Sequence, residues 1–225
     1  TPEKMTEAAN YYVLAYGCYV LMIIADTEGK IVATNTVTFD GKPLNNSQLI
    51  GRNVKGEAWY DDCISGRIAP GSSYIEDMKE DRDTADAYND RGLVLTFAAP
   101  IRRADGTIAG VWSNKACFDK TVGSILLSQE EALKNLGMSV DLHVVSKKGV
   151  ILADSDDAAV LNVNLIDRGL QAAKLGSEGK SGYVEETNPR SGELQINGYA
   201  SEKGFGPFTG YGWTVVGHWN YDEAI

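Results

Sequence analysis

The two histidines are the first candidates for catalytic chemistry, since imidazole titrates near neutral pH. His143 and His218 both fall within runs that predict β-strands. A nucleophilic mechanism would need a serine or cysteine beside one of them and an acid to orient the ring, and no such motif is visible. We therefore predict that both histidines are structural and that the chain is not an enzyme.

The three cysteines, Cys18, Cys63 and Cys117, show no CxxC spacing, and only two histidines accompany them. A zinc site is therefore not expected. Two interpretations stay open. The thiols could be buried and inert, or, if the chain is exported, Cys63 and Cys117 could form a disulfide and leave Cys18 unpaired.

Two further segments contain residue types that metal or cofactor sites use. The acid-rich run from 76 to 90 lacks the ligand spacing and central glycine of an EF-hand, and it predicts a solvated loop. Gly204, Gly206 and Gly210 form neither GxGxxG nor a phosphate-binding loop. We expect no cofactor and no metal.

Lys115 is the charged residue whose position is hardest to explain as surface, because it lies within an otherwise apolar strand. We therefore predict that Lys115 lines a pocket. Strand alternation places one set of side chains on each face of this strand, namely Val111, Ser113 and Lys115 against Trp112, Asn114 and Ala116. Unless a bulge intervenes, Lys115 and Trp112 should not line the same pocket.

Composition limits the partners. The 225 residues carry a formal net charge of -10, which disfavours binding to nucleic acid or to an anionic membrane surface. The longest apolar stretch, 11–25, is interrupted by Gly17 and is shorter than the roughly 20 residues that span a bilayer. The sequence starts inside a predicted helix and resembles an excised piece, so we expect membrane contact only through flanking segments.

An internal repeat organises the chain. Segments 19–35 and 140–155 each predict a hairpin with glycine at the end of its turn, and segments 93–114 and 194–219 each predict a further strand pair. Each half thus predicts an antiparallel sheet of about five strands with helices on one face, which is an α+β arrangement.

Two segments predict helices. The segment 164–175 has apolar residues at helical spacing in the second half. The segment 120–136 also has a helical pattern, with a capping interruption at 128–131. We place the boundary between the halves in this second segment.

Four segments in this order resemble the double-Cache sensor domains of bacterial chemoreceptors and sensor kinases. They are GRNVKGEAWYDDCISG, SYIEDMKED, TFAAPIRRADGTIAGVWSN and GYGWTVVGHWNYDEA. The resemblance implies two tandem PAS-like modules on an N-terminal helix. Residues 1–18 would end that helix, 19–119 would form the membrane-distal, ligand-binding module, 120–137 a connecting helix and 138–225 the membrane-proximal module.

The resemblance also implies a binding site in the distal module. In the amino-acid-binding members an Arg-x-Trp-Tyr motif grips the ligand carboxylate, a Tyr-x-Asp follows, and an Asp on the last strand holds the amine. Here Trp59 and Tyr60 match, whereas Glu57 stands at the Arg position and Lys115 at the final Asp position. The predicted ligand-binding set is Glu57, Trp59, Tyr60, Tyr74, Glu76, Asp77, Ser113 and Lys115.

The exchanged charges argue against the usual amino-acid orientation, since Glu57 would repel a carboxylate and Lys115 an ammonium group. Either the two neutralise one another across the pocket, or they contact opposite ends of a ligand of different polarity. The aromatic residues, with Trp112 as a further candidate, and the acids favour a small polar amine or nitrogen-rich ligand.

The resemblance further implies a periplasmic sensor domain of an inner-membrane receptor that is a homodimer at full length. Its output would be a chemotaxis signalling domain or, alternatively, a histidine kinase. Two competing hypotheses stay open. One is an enzyme in which Glu57 and Glu76 act as acid and base; the other is a structural module whose cavity is filled by its own side chains.

Overall fold

A computed structural model describes residues 1–189, 191–206 and 208–224 of the chain. The chain divides into two compact units, Thr1–Thr121 and Val122–Ile225. No helix within the described ranges combines the length and the apolar character that crossing a membrane requires.

The first unit begins with helix α1 and contains one five-stranded sheet. Its elements are α1 (Pro2–Tyr16), β1 (Tyr19–Asp26), β2 (Ile31–Thr34), a 3-10 turn (Ser47–Leu49), α2 (Ala58–Ile64), β3 (Tyr74–Glu80), α3 (Arg82–Tyr88), β4 (Leu93–Arg102) and β5 (Ile108–Cys117). The strands are antiparallel in the order β2-β1-β5-β4-β3. Strand β5 therefore lies in the middle of the sheet.

The second unit repeats this order. A π-helical turn (Asp119–Gly123) precedes α4 (Ser124–Asn135), and β6 (Val140–Val145), β7 (Ile151–Ala153), α5 (Gln171–Ser177), β8 (Gly182–Thr187), β9 (Leu194–Ser201), β10 (Thr214–Asn220) and α6 (Tyr221–Ala224) follow. Its sheet has the order β7-β6-β10-β9-β8. The predicted repeat and the α+β class are confirmed.

The turns of the two equivalent hairpins require glycine. Gly29 and Gly149 have φ values of +82° and +90°, a region that other residues rarely adopt. A Cβ at Gly149 would lie 2.4 Å from the side-chain oxygen of Asn164, so the backbone there also packs too closely for any other residue.

Helices cover both faces of each sheet, so the prediction of helices on one face was wrong. Six consecutive residues of β1 are buried, and successive side chains on a strand point to opposite faces. Met22 packs with Ala9 and Val13 of α1, whereas Leu21 packs with the α2 side of the sheet. In the second unit α5 covers one face, and α4 lies along β6 on the other.

Both predicted helices differ from the structure in detail. Residues 164–170 form turns, because the side chain of Asn164 accepts hydrogen bonds from the amides of Ile166 and Asp167, and only 171–177 is helical. The predicted interruption at 128–131 was wrong. The hydroxyl of Ser128 donates to the carbonyl of Ile125 within the continuous helix α4.

The three cysteines are free thiols, so the disulfide between Cys63 and Cys117 does not form. Cys63 is buried on α2 within the core of the first unit. Burial raises the pKa of its thiol to about 11, which leaves very little thiolate at neutral pH.

Candidate functional site

A polar cleft of about 260 Å³ lies on the α2 side of the first sheet. It brings together three residues of the predicted set, Glu57, Trp59 and Lys115. The other lining residues are Ile23, Arg52, Val54, Lys79, Glu80, Asp81, Arg82 and Asp83. The cleft is therefore bounded by the start of α2, the segment that joins β3 to α3, and the centre of the sheet.

Helix α2 positions the aromatic wall of this cleft. Trp59 and Tyr60 are both buried and contact each other edge to face, with ring centroids 5.9 Å apart. The ammonium nitrogen of Lys115 lies 6.0 Å from the centroid of the Trp59 ring. This distance is at the outer limit of a cation–π contact, so the ring mainly supplies an apolar wall.

Lys115 forms a buried ion pair with Asp81. Its Nζ lies 3.1 Å from the carboxylate of Asp81 and donates to the hydroxyl of Thr96 at 3.1 Å, and the two charged side chains are only 3% and 11% exposed. Burial alone would raise the pKa of Asp81, but the charge of Lys115 and hydrogen bonds from Thr84 bring it below its usual value. The Asp81 carboxyl group is therefore ionised at neutral pH.

The backbone around Asp81 is fixed on both sides. Its carboxylate caps α3 by accepting hydrogen bonds from the amide (2.9 Å) and the hydroxyl (2.8 Å) of Thr84. Its amide donates to the carbonyl of Gly92 at 2.8 Å. Gly92 has a φ of +63°, and a Cβ there would lie 2.4 Å from the carbonyl oxygen of Asp81. Asp81 is thus held rigidly beneath Lys115.

Further ion pairs line the rim. The guanidinium of Arg52 binds both carboxylate oxygens of Asp83, with 2.6 Å between Nη1 and Oδ1. This hydrogen bonding raises the pKa of Arg52. Such two-point pairs have a defined geometry, so the rim is ordered where Arg52 contributes to it.

Glu57 is the acid of this cleft that the structure leaves available. It lies at the N-terminal end of α2, is exposed, and makes no capping hydrogen bond. Lys115 is neutralised by Asp81 and not by Glu57, so the hypothesis that Glu57 and Lys115 neutralise each other is not supported. The Glu57 carboxylate stays free to meet a cationic group.

The other five predicted residues do not line the cleft. Tyr60 is a core residue whose hydroxyl donates to the carbonyl of Asp26 at 3.0 Å. Tyr74 packs against the same core, and burial raises its pKa to about 12. Glu76 pairs with Lys79 at 2.8 Å. The last two are Asp77, which accepts from the Met78 amide, and Ser113, which is fully buried on β5.

Trp112 lies on the opposite face of β5 from Lys115, as strand alternation predicts. Its ring contacts Tyr12 of α1 with centroids 5.8 Å apart, and its indole nitrogen donates to Asn114. Trp112 therefore belongs to the α1 side of the sheet and does not line this cleft.

Replacing Tyr60 by phenylalanine tests its assignment to the core. The variant loses one partly buried hydrogen bond, so we expect the free energy of unfolding to fall by about 1 kcal/mol in urea titrations. Ligand affinity should not change. A tenfold loss of affinity with unaltered stability would return Tyr60 to the site.

Four residues at the cleft were not predicted from the sequence, namely Arg52, Asp81, Asp83 and Thr96. The prediction that 76–90 is a solvated loop was wrong, because this run forms most of β3 and all of α3. One usable signal was present: aspartate is among the residue types preferred at the N-cap, and Asp81 directly precedes α3. Its pairing with Lys115 joins residues 34 positions apart, which no local pattern encodes.

Groups of three or more histidine, cysteine or acidic side chains that could hold a metal ion do not occur in the part of the chain that the structure describes. No protein-family model matches the sequence, and no curated protein matches it. Solved structures, in contrast, match over nearly the whole chain.

Three of these structures are ligand-binding or extracellular domains of receptors. The ligand-binding domain of the Pseudomonas aeruginosa amino acid chemoreceptor PctC, in complex with GABA, is 18% identical with a TM-score of 0.63, over 98% of this chain and 82% of that one. The ligand-binding domain of the Pseudomonas fluorescens chemoreceptor CtaA, in complex with L-serine, is 16% identical with a TM-score of 0.61, over 99% and 81%.

The third is the extracellular domain of rpHK1S-Z16, classed as a histidine kinase, which is 13% identical with a TM-score of 0.61, over 100% of this chain and 80% of that one. At such identities the likeness establishes the fold. The chain thus has the two-module fold that its resemblance to double-Cache domains predicted.

Proposed function

We propose that this chain is the extracytoplasmic sensor region of a bacterial transmembrane receptor, and that its first unit binds a small polar ligand in the cleft beside Trp59. The fold supports the receptor class, because the same fold occurs in ligand-binding domains of chemoreceptors. The action proposed is binding, which shifts the population between two conformations of the receptor.

The ligand assignment depends on Glu57. Its carboxylate is free, whereas the other central charges of the cleft are paired. Arg52 is paired with Asp83 and Lys115 with Asp81. A ligand that enters therefore meets one acid, Glu57, that has no ion pair with the described residues, although Arg52, held by Asp83, is close enough to interact with it. An ammonium or amidinium group would satisfy it by a charge-assisted hydrogen bond.

Lys115 supplies the complementary feature deeper in the cleft. A lysine ammonium has three N–H donors, and the contacts to Asp81 and Thr96 account for two of them. The third can donate to a hydroxyl, carbonyl or carboxylate oxygen of the ligand. We infer a ligand with an amine at one end and a hydrogen-bond acceptor at the other, placed opposite to the usual amino-acid orientation.

Two kinds of output domain are consistent with the fold. The similar structures include domains of chemoreceptors and of a histidine kinase, so both a chemotaxis signalling domain and a kinase fit the fold. In either case the sensor region would be periplasmic, would act as a homodimer at full length, and would reach the membrane through flanking segments.

Isothermal titration of the chain against amines, amino acids, purines and organic acids tests this proposal. At least one amine-bearing compound should bind, and Glu57→Gln should weaken that binding at least tenfold, because a hydrogen bond to a charged group contributes about 1.5–3 kcal/mol. The fold should be unaffected, since Glu57 is exposed.

Glu7→Gln is the matched control. Glu7 is an exposed acid of α1 in the same unit, so this substitution changes the net charge equally but leaves the cleft intact. Equal affinity losses in the two variants would indicate long-range electrostatics and contradict the site. So would the failure of every compound in the panel to bind.

A further inference from the structure

The second unit contains a polar cleft of about 300 Å³ on the α5 side of its sheet. Its wall includes both histidines of the chain, together with Asp141, Asp154, Asp156 and Arg168. None of these residues belongs to the first unit, so this cleft is independent of the candidate site at Trp59.

Strand registers show that this second cleft is the structural equivalent of the first. Ala25 pairs with Val111 and Ile31 in one sheet, and Val145 pairs with Thr214 and Ile151 in the other. Counting along the last strand of each sheet from these pairs places His218 at the position of Lys115. Counting along the first strand places His143 at the position of Ile23.

The cross-strand partners correspond as well. Lys115 lies opposite Thr96 and binds its hydroxyl, whereas His218 lies opposite Asn197 and contacts its side-chain oxygen at 2.7 Å through Nδ1. The second unit therefore keeps a buried nitrogen base at this place in the sheet, held by a polar residue of the neighbouring strand.

The tautomer of His218 follows from this contact. The amide nitrogen of Asn197 donates to Glu186 at 2.9 Å, so its oxygen is the atom that faces His218 and accepts a hydrogen bond from the N–H at Nδ1. Neutral His218 then has a bare lone pair on Nε2. The residue is only 8% exposed and lines the cleft, and Nε2 has no hydrogen bond to any described residue.

A second acceptor lies beside the first. The His143 ring is 4.6 Å from that of His218 between centroids, and its Nδ1 lies 2.8 Å from Oδ2 of Asp154. In the neutral ring, a carboxylate at this distance favours the tautomer with the proton on Nδ1, and Nε2 is then the acceptor. Asp141 lies directly opposite His218 on β6, and its exposed carboxylate has no ion pair with the described residues.

We propose that this cleft is a second ligand site, which takes a small organic cation with several N–H donors, such as a primary diamine or a guanidine. Two imidazole lone pairs and the Asp141 carboxylate are acceptors that such a cation would satisfy together. In the first unit the positions of His143 and Asp141 are occupied by the apolar Ile23 and Leu21. Of the three groups, His218 is buried, and a buried polar atom such as its Nε2 is costly without a partner, which a donor-rich ligand supplies.

Titration calorimetry with 1,3-diaminopropane, 1,4-diaminobutane and agmatine tests this site, with succinate as a ligand of opposite charge. The measurement uses the Glu57→Gln variant at near-physiological salt, so that binding at the first cleft is weakened. We expect at least one of the three cations to bind with saturation. Asp141→Asn in this background should lower the affinity at least fivefold.

Asp167→Asn is the matched control, since Asp167 is an exposed acid of the same unit outside the cleft. It should leave the affinity unchanged. Equal losses in the two variants, the absence of saturable binding by all three cations, or binding that EDTA abolishes would each overturn the proposal. If the cations give a heat signal with the unsubstituted chain but not with the Glu57→Gln single variant, the binding belongs to the first cleft.

Discussion

Replacing Lys115 by methionine should lower the free energy of unfolding by about 3–5 kcal/mol, the usual cost of removing one partner from a buried ion pair. Methionine fills a similar volume, so little of this loss comes from a cavity. The loss arises because the Asp81 carboxylate, 11% exposed, would be left buried beneath the sheet without its cation. Urea titration at pH 7 measures the change.

Two further variants separate this cause from general damage to the sheet. Adding Asp81→Ser to Lys115→Met removes the stranded charge and keeps an oxygen that can cap α3, so we expect most of the lost stability to return. Lys79→Met breaks the half-exposed pair with Glu76 and should cost under 1 kcal/mol. If Lys115→Met costs as little as Lys79→Met, the pair is not buried in solution.

Much of the fold could be predicted because its signals are local and repeated. Each hairpin has β-branched strands around a glycine that must adopt positive φ, as at Gly29 and Gly149. The alternation along β5 was also sufficient to separate Lys115 from Trp112, since side chains on a strand change face at every residue. These features depend on neighbours within a few positions.

The site was less predictable because its contacts join distant segments. The resemblance placed Glu57, Trp59 and Lys115 in one cleft, as the structure does, but it also included Tyr60 and Tyr74, which pack in the core. Large aromatic residues serve cores and ligand sites equally well, so their type alone cannot distinguish the two roles. The distinction depends on which side of α2 the ring occupies.

The two histidines are the reverse case, since residues predicted to be structural lie together in a cleft. Without a nearby nucleophile they were predicted to be structural. They lie 75 positions apart in the sequence, yet β6 and β10 are neighbours in the sheet and bring their rings within 4.6 Å. Function was expected only in the first unit. The second polar cleft is created by pairing between strands that are far apart in the sequence, and no local pattern indicates such pairing.

His218 should make the stability of the chain depend on pH between pH 7 and pH 5. Burial, and then the nearby His143, lower its pKa from the ordinary value of 6.5 to about 4. Between those two values the unfolded chain binds a proton at this residue and the folded chain does not, so stability falls as the pH falls. The full effect of the shift is about 3 kcal/mol, of which about 2 kcal/mol should appear between pH 7 and pH 5.

Urea titrations of the chain and of a His218→Asn variant at pH 7, 6 and 5 test this expectation. Asparagine can still hydrogen-bond to Asn197 but does not titrate, so the variant should lose about 2 kcal/mol less than the unsubstituted chain over this range. Asp81 and Asp154 also have lowered pKa values, but the stability that they contribute is present above their unfolded pKa near 3.8 and is lost mainly below pH 5. Parallel pH profiles for the two proteins would show that His218 is protonated as readily in the folded chain as in the unfolded one. In that case the lone pair on Nε2 would be lost as the pH falls through about 6.5, and the cation site would lose this acceptor there, because a charged imidazole has only donors.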